Sequence, residues 1–307
     1  MTQAHSTILK HAENTVPSYL RCLRTIDRLP LDLSEALFVH YPSMKLGVSS
    51  AVDFYIDKLV GLALQSMQET PECLDWVITA PLFNTAPAAA NLLCWKMYKK
   101  LSVSLPKGRE LSLVDLHLSP QRMTINSKKD FKTYYEYSSN SVEQRVKERS
   151  QLHKGSDDII DQGDAFTGKG VLIVNDIKVT GTQQMFMSQS FEQVNPNSLH
   201  WIYIFEVDKS LGIKHPQVEA QINNSSVQSL DEFSDVICSI ETHQTARCVT
   251  RLFTYDMDDF KTLIKCLPIQ KRQTFFHYAT EEGRFEGDYF IEKYRVLRGL
   301  CENIEAQ

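Results

Sequence analysis

No two cysteines of this 307-residue chain form a Cys-x-x-Cys pair. The seven that occur, Cys22, Cys73, Cys94, Cys238, Cys248, Cys266 and Cys301, are odd in number and scattered, which argues against a disulfide framework and a zinc ribbon. Cys238, His243 and Cys248 come nearest to a metal cluster, but their spacing fits no common zinc pattern, so core or surface placement is expected. No apolar run reaches membrane-spanning length, and the polar opening from Met1 to Asn14 has no apolar core of a secretion signal; a cytoplasmic protein is the expectation. Positive charge is short as well. Lys and Arg number 33 against 38 Asp and Glu, a net charge of −5, without the basic field that draws proteins onto nucleic acid. No Gly-x-Ser-x-Gly element is present, which leaves a hydrolase of that type without its nucleophile. The run from Gly163 to Gly170 nearly spells a nucleotide-binding P-loop, yet Gly170 stands at the Ser/Thr position and the run precedes a strand where it should follow one; a flexible hinge is the better reading.

What is present is a soluble globular composition, 42% apolar and 23% charged, long enough for a substantial core. Helical spacing of Leu20, Leu23 and Ile26 predicts a helix over Pro17 to Leu29. A second helix is predicted over Ser50 to Glu69, with a Ser50-to-Asp53 capping pattern, an apolar face of Val52, Ile56, Leu59, Val60, Ala63 and Met67, and Pro71 as its stop. Trp76 to Thr79 reads as a strand, residues 80–85 as a loop, Ala86 to Lys100 as a helix, and Leu111 to Leu116 as the next strand. Ala80-Pro81 could supply a cis bond, although X-Pro is usually trans. Farther on, Gln183 to Gln193 reads as helix and Leu199 to Phe205 as a fourth strand. This alternation is that of βαβ units around a parallel sheet, an α/β fold whose ligands bind beyond the carboxyl ends of the strands.

The most informative stretch runs from Val171 to Gln184. Four aliphatic residues, Val171 to Val174, form a strand buried on both faces; Asn175 and Asp176 follow, and the chain then turns through Thr180-Gly181 into a helix. Gly181 lets the backbone approach a ligand, and the helix start near Thr182 aims unpaired N–H groups and a positive dipole end at the same place. That place suits a phosphate.

The stretch resembles the ribose-phosphate signature of the type I phosphoribosyltransferases: an aliphatic strand, an acidic pair, a short spacer and Thr-Gly with a further hydroxyl residue. The resemblance implies a Rossmann-like parallel-sheet phosphoribosyltransferase fold with an added cap or hood from the N- and C-terminal regions. It implies a ligand, phosphoribosyl diphosphate or a nucleoside monophosphate, a nitrogenous acceptor, and Mg²⁺. By the same resemblance Asn175 and Asp176 hold the ribose hydroxyls, Asp176 being the anionic catalytic group and the metal ligand. Lys178, Thr180, Gly181, Thr182 and Gln183 would then hold ribose and phosphate. Pro81, Leu82, Phe83, Asn84 and Thr85 fall where the family has its pyrophosphate loop. Two departures stand out. Asn175 replaces the first carboxylate, and Val179 and Gln183 stand where the family often has an acidic residue and a Thr. The loop of residues 81–85 also has no cation of its own, where a multiply charged leaving group calls for one. These departures support an alternative, a non-catalytic binder of a phosphoribosyl ligand or nucleotide acting as a regulator.

The resemblance divides the chain into an N-terminal helical hood or flank (1–70), an α/β core (71–210) and a C-terminal cap (211–307). Within the core, residues 119–169 would be the flexible loop that closes over substrate, bringing Lys128, Lys129, Lys132, Arg145, Lys147, Arg149 and Lys154 as possible partners of a pyrophosphate. Glu206 and Asp208 leave the fourth strand on the ligand side. Phe290, Tyr294, Leu297, Cys301 and Ile304 form an amphipathic C-terminal helix, read as cap packing or a homodimer contact. Residues 271–278 mix cations with aromatics, and a surface patch beside buried aromatics outweighs single-stranded nucleic acid there. The extra regions at both ends are also similar to the phosphoribosyltransferase-like proteins of bacterial tellurium-resistance and stress gene clusters, which implies a role in stress response.

Overall fold

The computed structural model describes residues 16–117, 124–135, 143, 146 and 158–305. Its centre is a five-stranded, all-parallel sheet. The strands are β1 (Ser18–Ile26), β2 (Asp75–Thr79), β3 (Glu110–Leu113), β4 (Gly170–Lys178) and β5 (Ser198–Val207), in the order β1-β5-β4-β2-β3. The aliphatic run of β4 sits in the middle because both of its faces are covered. Leu172 and Val174 join the core under helices Ser49–Glu69 and Ala89–Ser102, while Val171 and Ile173 meet Met187 and Phe191 of helix Thr182–Val194 on the other side.

Residues 18–26 are a strand, which overturns the helix predicted over Pro17 to Leu29. They pair in parallel with β5 from Ser18↔Leu199 to Ile26↔Val207. An edge strand needs only partial burial, so its polar positions break the period-two pattern and leave the spacing of Leu20, Leu23 and Ile26 to imitate a helix. Arg21 is tied to the next helix, donating to Ser66 Oγ at 2.9 Å and pairing with Glu69. The sheet thus draws its edge strand from the segment read as a helical flank.

The helix expected over 50–69 forms as Ser49–Glu69, and all six apolar-face residues are buried. Its start is not a side-chain cap. The Ser49 N–H donates to the Glu241 carbonyl at 3.1 Å, and Asp53 instead pairs with Lys96 at 2.7 Å. The helix read as Ala86 to Lys100 begins at Ala89, because the Asn91 side chain accepts the Ala88 N–H (2.8 Å) and Pro87 offers its carbonyl to the Ala246 N–H (2.9 Å). The bond before Pro81 is not cis; the one cis peptide among the described residues precedes Pro30.

Beyond β5 the chain is helical. Helices from Leu230–Cys238 to Ile291–Glu305 enclose a second core with Phe233, Phe253, Phe260, Phe275, Phe285 and Phe290. Phe290, Tyr294, Leu297 and Cys301 are buried in it as expected, so the apolar face of the last helix is used in cap packing. The cations of residues 271–278 are engaged by the cap itself. Lys271 donates to the carbonyls of Ile237 and Thr242 (3.1 and 2.9 Å), and Arg272 to those of Ile264 and Leu267 (both 3.2 Å). The near-P-loop run is packed where a hinge was expected: Phe166 is buried edge-on against Phe191, and Thr167 Oγ1 donates to the Val194 carbonyl at 2.9 Å. No group of three metal-ligating side chains occurs among the described residues; Cys248 donates to the Leu46 carbonyl and Cys238 to that of Cys266. Among the described residues, no helix is long and apolar enough to cross a membrane.

Candidate functional site

A cavity of about 240 Å³ opens at the carboxyl end of β4, beside β2 and β5. Such a position follows from parallel topology, where strand ends and helix starts gather on one edge of the sheet. Its floor is residues 175–184, and Tyr203, Pro81, Leu82, Ala88 and Ala90 form parts of its walls. Lys45 and Glu219 enter from outside the core.

The loop after β4 has the local geometry its sequence predicts. Gly181 takes φ 74°, a left-handed conformation that disfavours side chains, and serves as N-cap of helix Thr182–Val194. Gly181 has no side chain to cap that helix start; the Thr182 N–H reaches the Thr180 hydroxyl at 3.5 Å, and the dipole end of the helix lies at the cavity edge formed by residues 180–184. Thr180 and Thr182 share a hydroxyl hydrogen bond at 2.9 Å. Lys178 also lines the cavity, with its ammonium 2.9 Å from Glu206 Oε1. Asp208, read as facing a ligand, instead caps the next helix by accepting the N–H groups of Ser210 and Leu211.

The acidic-pair position is occupied from within. Asn175 is buried; its amide donates to Gln183 Oε1 at 3.1 Å and its carbonyl oxygen accepts the Asp176 N–H at 2.9 Å. Asp176 is buried too. Its Oδ1 accepts the Ile177 N–H (2.9 Å), and its Oδ2 accepts both the Tyr41 hydroxyl (3.1 Å) and the Lys45 ammonium, which also reaches Glu219 at 3.1 Å. Burial would raise the Asp176 carboxyl, but the Lys45 charge and the hydrogen bonds outweigh it and hold the group below the ordinary carboxylate range. Burial likewise works against the Lys45 ammonium, and Asp176 and Glu219 hold it above its usual value. Tyr41 and Tyr203 are both pushed up, by burial first and then by Asp176, so both hydroxyls stay protonated, that of Tyr41 donating to Asp176. Both Asp176 oxygens thus have partners, and Asn175 is turned to Gln183. A directly bound Mg²⁺, which demands near-octahedral oxygen ligands, does not fit these donors as they stand.

The loop after β2 is built differently. Pro81 and Leu82 line the cavity, but the Phe83 ring packs against Trp95 and His117, and Asn84 and Thr85 are not among the lining residues. Of the cations assigned to the closing loop, Lys128, Lys129 and Lys132 lie on helix Lys128–Tyr135; Lys128 and Lys129 do not line the cavity, whereas Arg145, Lys147, Arg149 and Lys154 lie outside the described residues. Sequence reasoning missed Tyr41, Lys45 and Glu219. Tyr41 and Lys45 sit one helical turn apart in Tyr41–Lys45, and that spacing was the only signal that they act together.

No curated protein matches the chain. The model of one family, described as PRTase ComF-like, matches residues 114–297, which takes in β4, its glycine loop and most of the helical cap. That match spans more than half of the sequence and meets a parallel sheet whose central strand ends in the Asp-to-Thr-Gly loop, and the chain therefore belongs to the PRTase ComF-like family of type I phosphoribosyltransferase-like proteins.

Proposed function

We propose that the chain binds the 5-phosphoribosyl group of phosphoribosyl diphosphate or of a nucleoside monophosphate and acts in phosphoribosyl transfer. The observation that carries this reading is the helix start at Thr182 behind a left-handed Gly181, lining a cavity whose floor also holds Asp176. The 5-phosphate lies on the N–H groups of residues 180–183, and the ribose lies toward Asn175 and Asp176. In the transfer, the bond from C1 of the ribose to the pyrophosphate oxygen breaks with its electron pair leaving on pyrophosphate. The acceptor nitrogen gives its lone pair to C1 and releases its proton to solvent. Asp176 supplies negative charge near the electron-poor ribose, a stabilisation that grows as the bond breaks.

A second reading, a binder that does not turn over, is favoured by two observations: Asp176 is already neutralised by Lys45, and the wall at Pro81 and Leu82 is apolar. The two readings separate on Asn175→Asp. For a transferase the restored carboxylate keeps or raises the rate of pyrophosphate release from phosphoribosyl diphosphate across a panel of bases and amines. For a binder it repels the anionic ligand, lowering affinity without turnover. Backbone amide shifts at residues 180–183 on titration with ribose 5-phosphate test the phosphate site itself; saturating ligand with no shift there would remove the reading.

A further inference from the structure

Lys45 lies in the part of the chain that precedes the family match, yet its ammonium is in contact with the most buried carboxylate of the site. We propose that this ammonium is the resident cation of the ribose corner, standing beside the carboxylates Asp176 and Glu219 that would otherwise be free to hold a divalent ion, so that the site takes phosphoribosyl ligands without a metal. The proposal rests on the reading that Asp176 faces the ribose.

Three features carry it. First, the two carboxylates already share a cation. Asp176, Glu219 and Lys45 have side chains only 8%, 14% and 16% exposed, and with the lysine present the trio carries one net negative charge, without it two. A second cation entering here would meet the ammonium at close range in a poorly solvated corner, where like charges repel strongly. Second, the donors come as a unit. Tyr41 and Lys45, four residues apart on one helical turn, both address Asp176 Oδ2, while the Ile177 N–H takes Oδ1. An ammonium has three donors; Asp176 and Glu219 use two, and Lys45 lines the cavity, which leaves one for a ligand hydroxyl. Third, the lysine is clamped by the cap. The Lys45 carbonyl accepts the Thr245 hydroxyl at 3.0 Å, and Gly47, at φ 82°, leaves no room for a side chain, since an added Cβ would lie 1.8 Å from the His243 carbonyl oxygen.

The test uses Mn²⁺ as a spectroscopic probe of the full chain without any phosphorylated ligand, and ribose 5-phosphate in a separate arm. Wild-type protein should leave Mn²⁺ free in electron paramagnetic resonance titrations and show no rise of Tm with Mn²⁺. Lys45→Met should gain a Mn²⁺ site that disappears again in Lys45→Met with Asp176→Asn, and its lowered Tm should rise with Mn²⁺. In the ligand arm, wild-type affinity for ribose 5-phosphate should agree within about twofold between EDTA and Mg²⁺, whereas Lys45→Met should lose about tenfold in EDTA and regain part of it with Mg²⁺. A wild-type Mn²⁺ site abolished by Asp176→Asn, or Lys45→Met that gains none, overturns the proposal. Should Lys45→Met fail to fold, the wild-type and Asp176→Asn titrations decide alone. Ribose 5-phosphate that binds no variant under either condition sinks the phosphoribosyl reading, while the Mn²⁺ arm still decides whether lysine excludes a divalent ion.

Discussion

The loops that leave β4 and β2 border one cavity at the same end of the sheet, yet they are built in opposite ways. After β4 the chain offers Thr180, Thr182 and Gln183 around a left-handed glycine, with a helix start behind them. After β2 it offers Pro81 and Leu82, turns Phe83 into a ring cluster with Trp95 and His117, and fixes its own helix start through Asn91. On the proposed reading the β4 side takes a phosphate monoester, while the β2 side lines the cavity with Pro81 and Leu82, which carry no charge. If that reading holds, recognition rests on the β4 loop and the β2 side is where ligand choice is open to change.

The comparison breaks most severely if the β4 loop is moved from behind. Gly212 lies in helix Lys209–Lys214, and a Cβ there would come within 2.1 Å of the Val179 carbonyl oxygen. Backbone cannot yield as a side-chain tip does, so Gly212→Ala should displace residue 179 and the loop after it. We expect a loss of about 1–3 kcal/mol in urea unfolding and about tenfold in ribose 5-phosphate affinity by calorimetry. Gly61→Ala is the control, because nothing lies within 4 Å of its added Cβ, and it should be neutral or slightly stabilising. Unchanged affinity in Gly212→Ala would show that the loop does not depend on this close packing.

A smaller effect separates stability from either loop. His200, near the start of β5 and away from the cavity, is stacked on Tyr19 at 4.8 Å and lies 5.0 Å from Trp76; burial lowers its pKa to about 4. The folded state therefore holds it neutral, while the unfolded chain takes up a proton below its ordinary value near 6.5. Its contribution is full above about pH 6.5 and is lost as pH falls toward 4, the loss at pH 5.5 being on the order of 1 kcal/mol. His200→Phe should remove that slope from unfolding curves between pH 7.5 and 5.5 without changing ligand affinity at pH 7.5. A slope that survives the substitution assigns the pH dependence to another group.

Those two sites also mark what was legible in the sequence. The β4 stretch was readable because local chemistry determines it: aliphatic residues make the strand, Gly181 the turn, and the helix start follows. Its family resemblance is supported by the match over residues 114–297. The β1 strand was not readable, since an edge partner on β5, about 180 residues away in sequence, overrides helical spacing. Lys45 was equally hidden. Its role arises from Glu219 and from the cap segment holding residues 45–49, neither of which leaves a mark near position 45. The start of the Ser49–Glu69 helix repeats the lesson, as a carbonyl of the cap does the work a Ser-to-Asp pattern was expected to do.

The β2 side can be altered to sharpen the contrast. Leu82 is partly exposed on the cavity wall, so Leu82→Arg places a guanidinium beside any second phosphate group. Affinity for phosphoribosyl diphosphate should rise by about fivefold while that for ribose 5-phosphate stays within about twofold, a gain of the size one solvent-accessible charged hydrogen bond supplies. Equal gains for both ligands would mean that the arginine reaches the 5-phosphate and that the two loops are not separate subsites.

The smallest expected effect is the most specific to the comparison. Asn84 and Thr85 are the polar residues of the β2 loop, expected from the sequence to belong to a pyrophosphate loop, yet neither lines the cavity and neither caps the helix that begins at Ala89. A side chain that neither touches ligand nor satisfies a buried group can be truncated with little consequence, in stability or in binding. Asn84→Ala and Thr85→Ala should therefore change ribose 5-phosphate and phosphoribosyl diphosphate affinities by less than about twofold, with unfolding free energies within about 0.5 kcal/mol of the parent. Thr182→Ala is the counterpart in the β4 loop: it removes the hydroxyl paired with Thr180 at 2.9 Å, in a residue that is buried and lines the cavity, and should weaken both ligands by about fivefold. The informative failure is selective. If Asn84→Ala weakens phosphoribosyl diphosphate alone, the β2 loop moves to meet the second phosphate when ligand enters, and the asymmetry between the loops belongs to the ligand-free protein only.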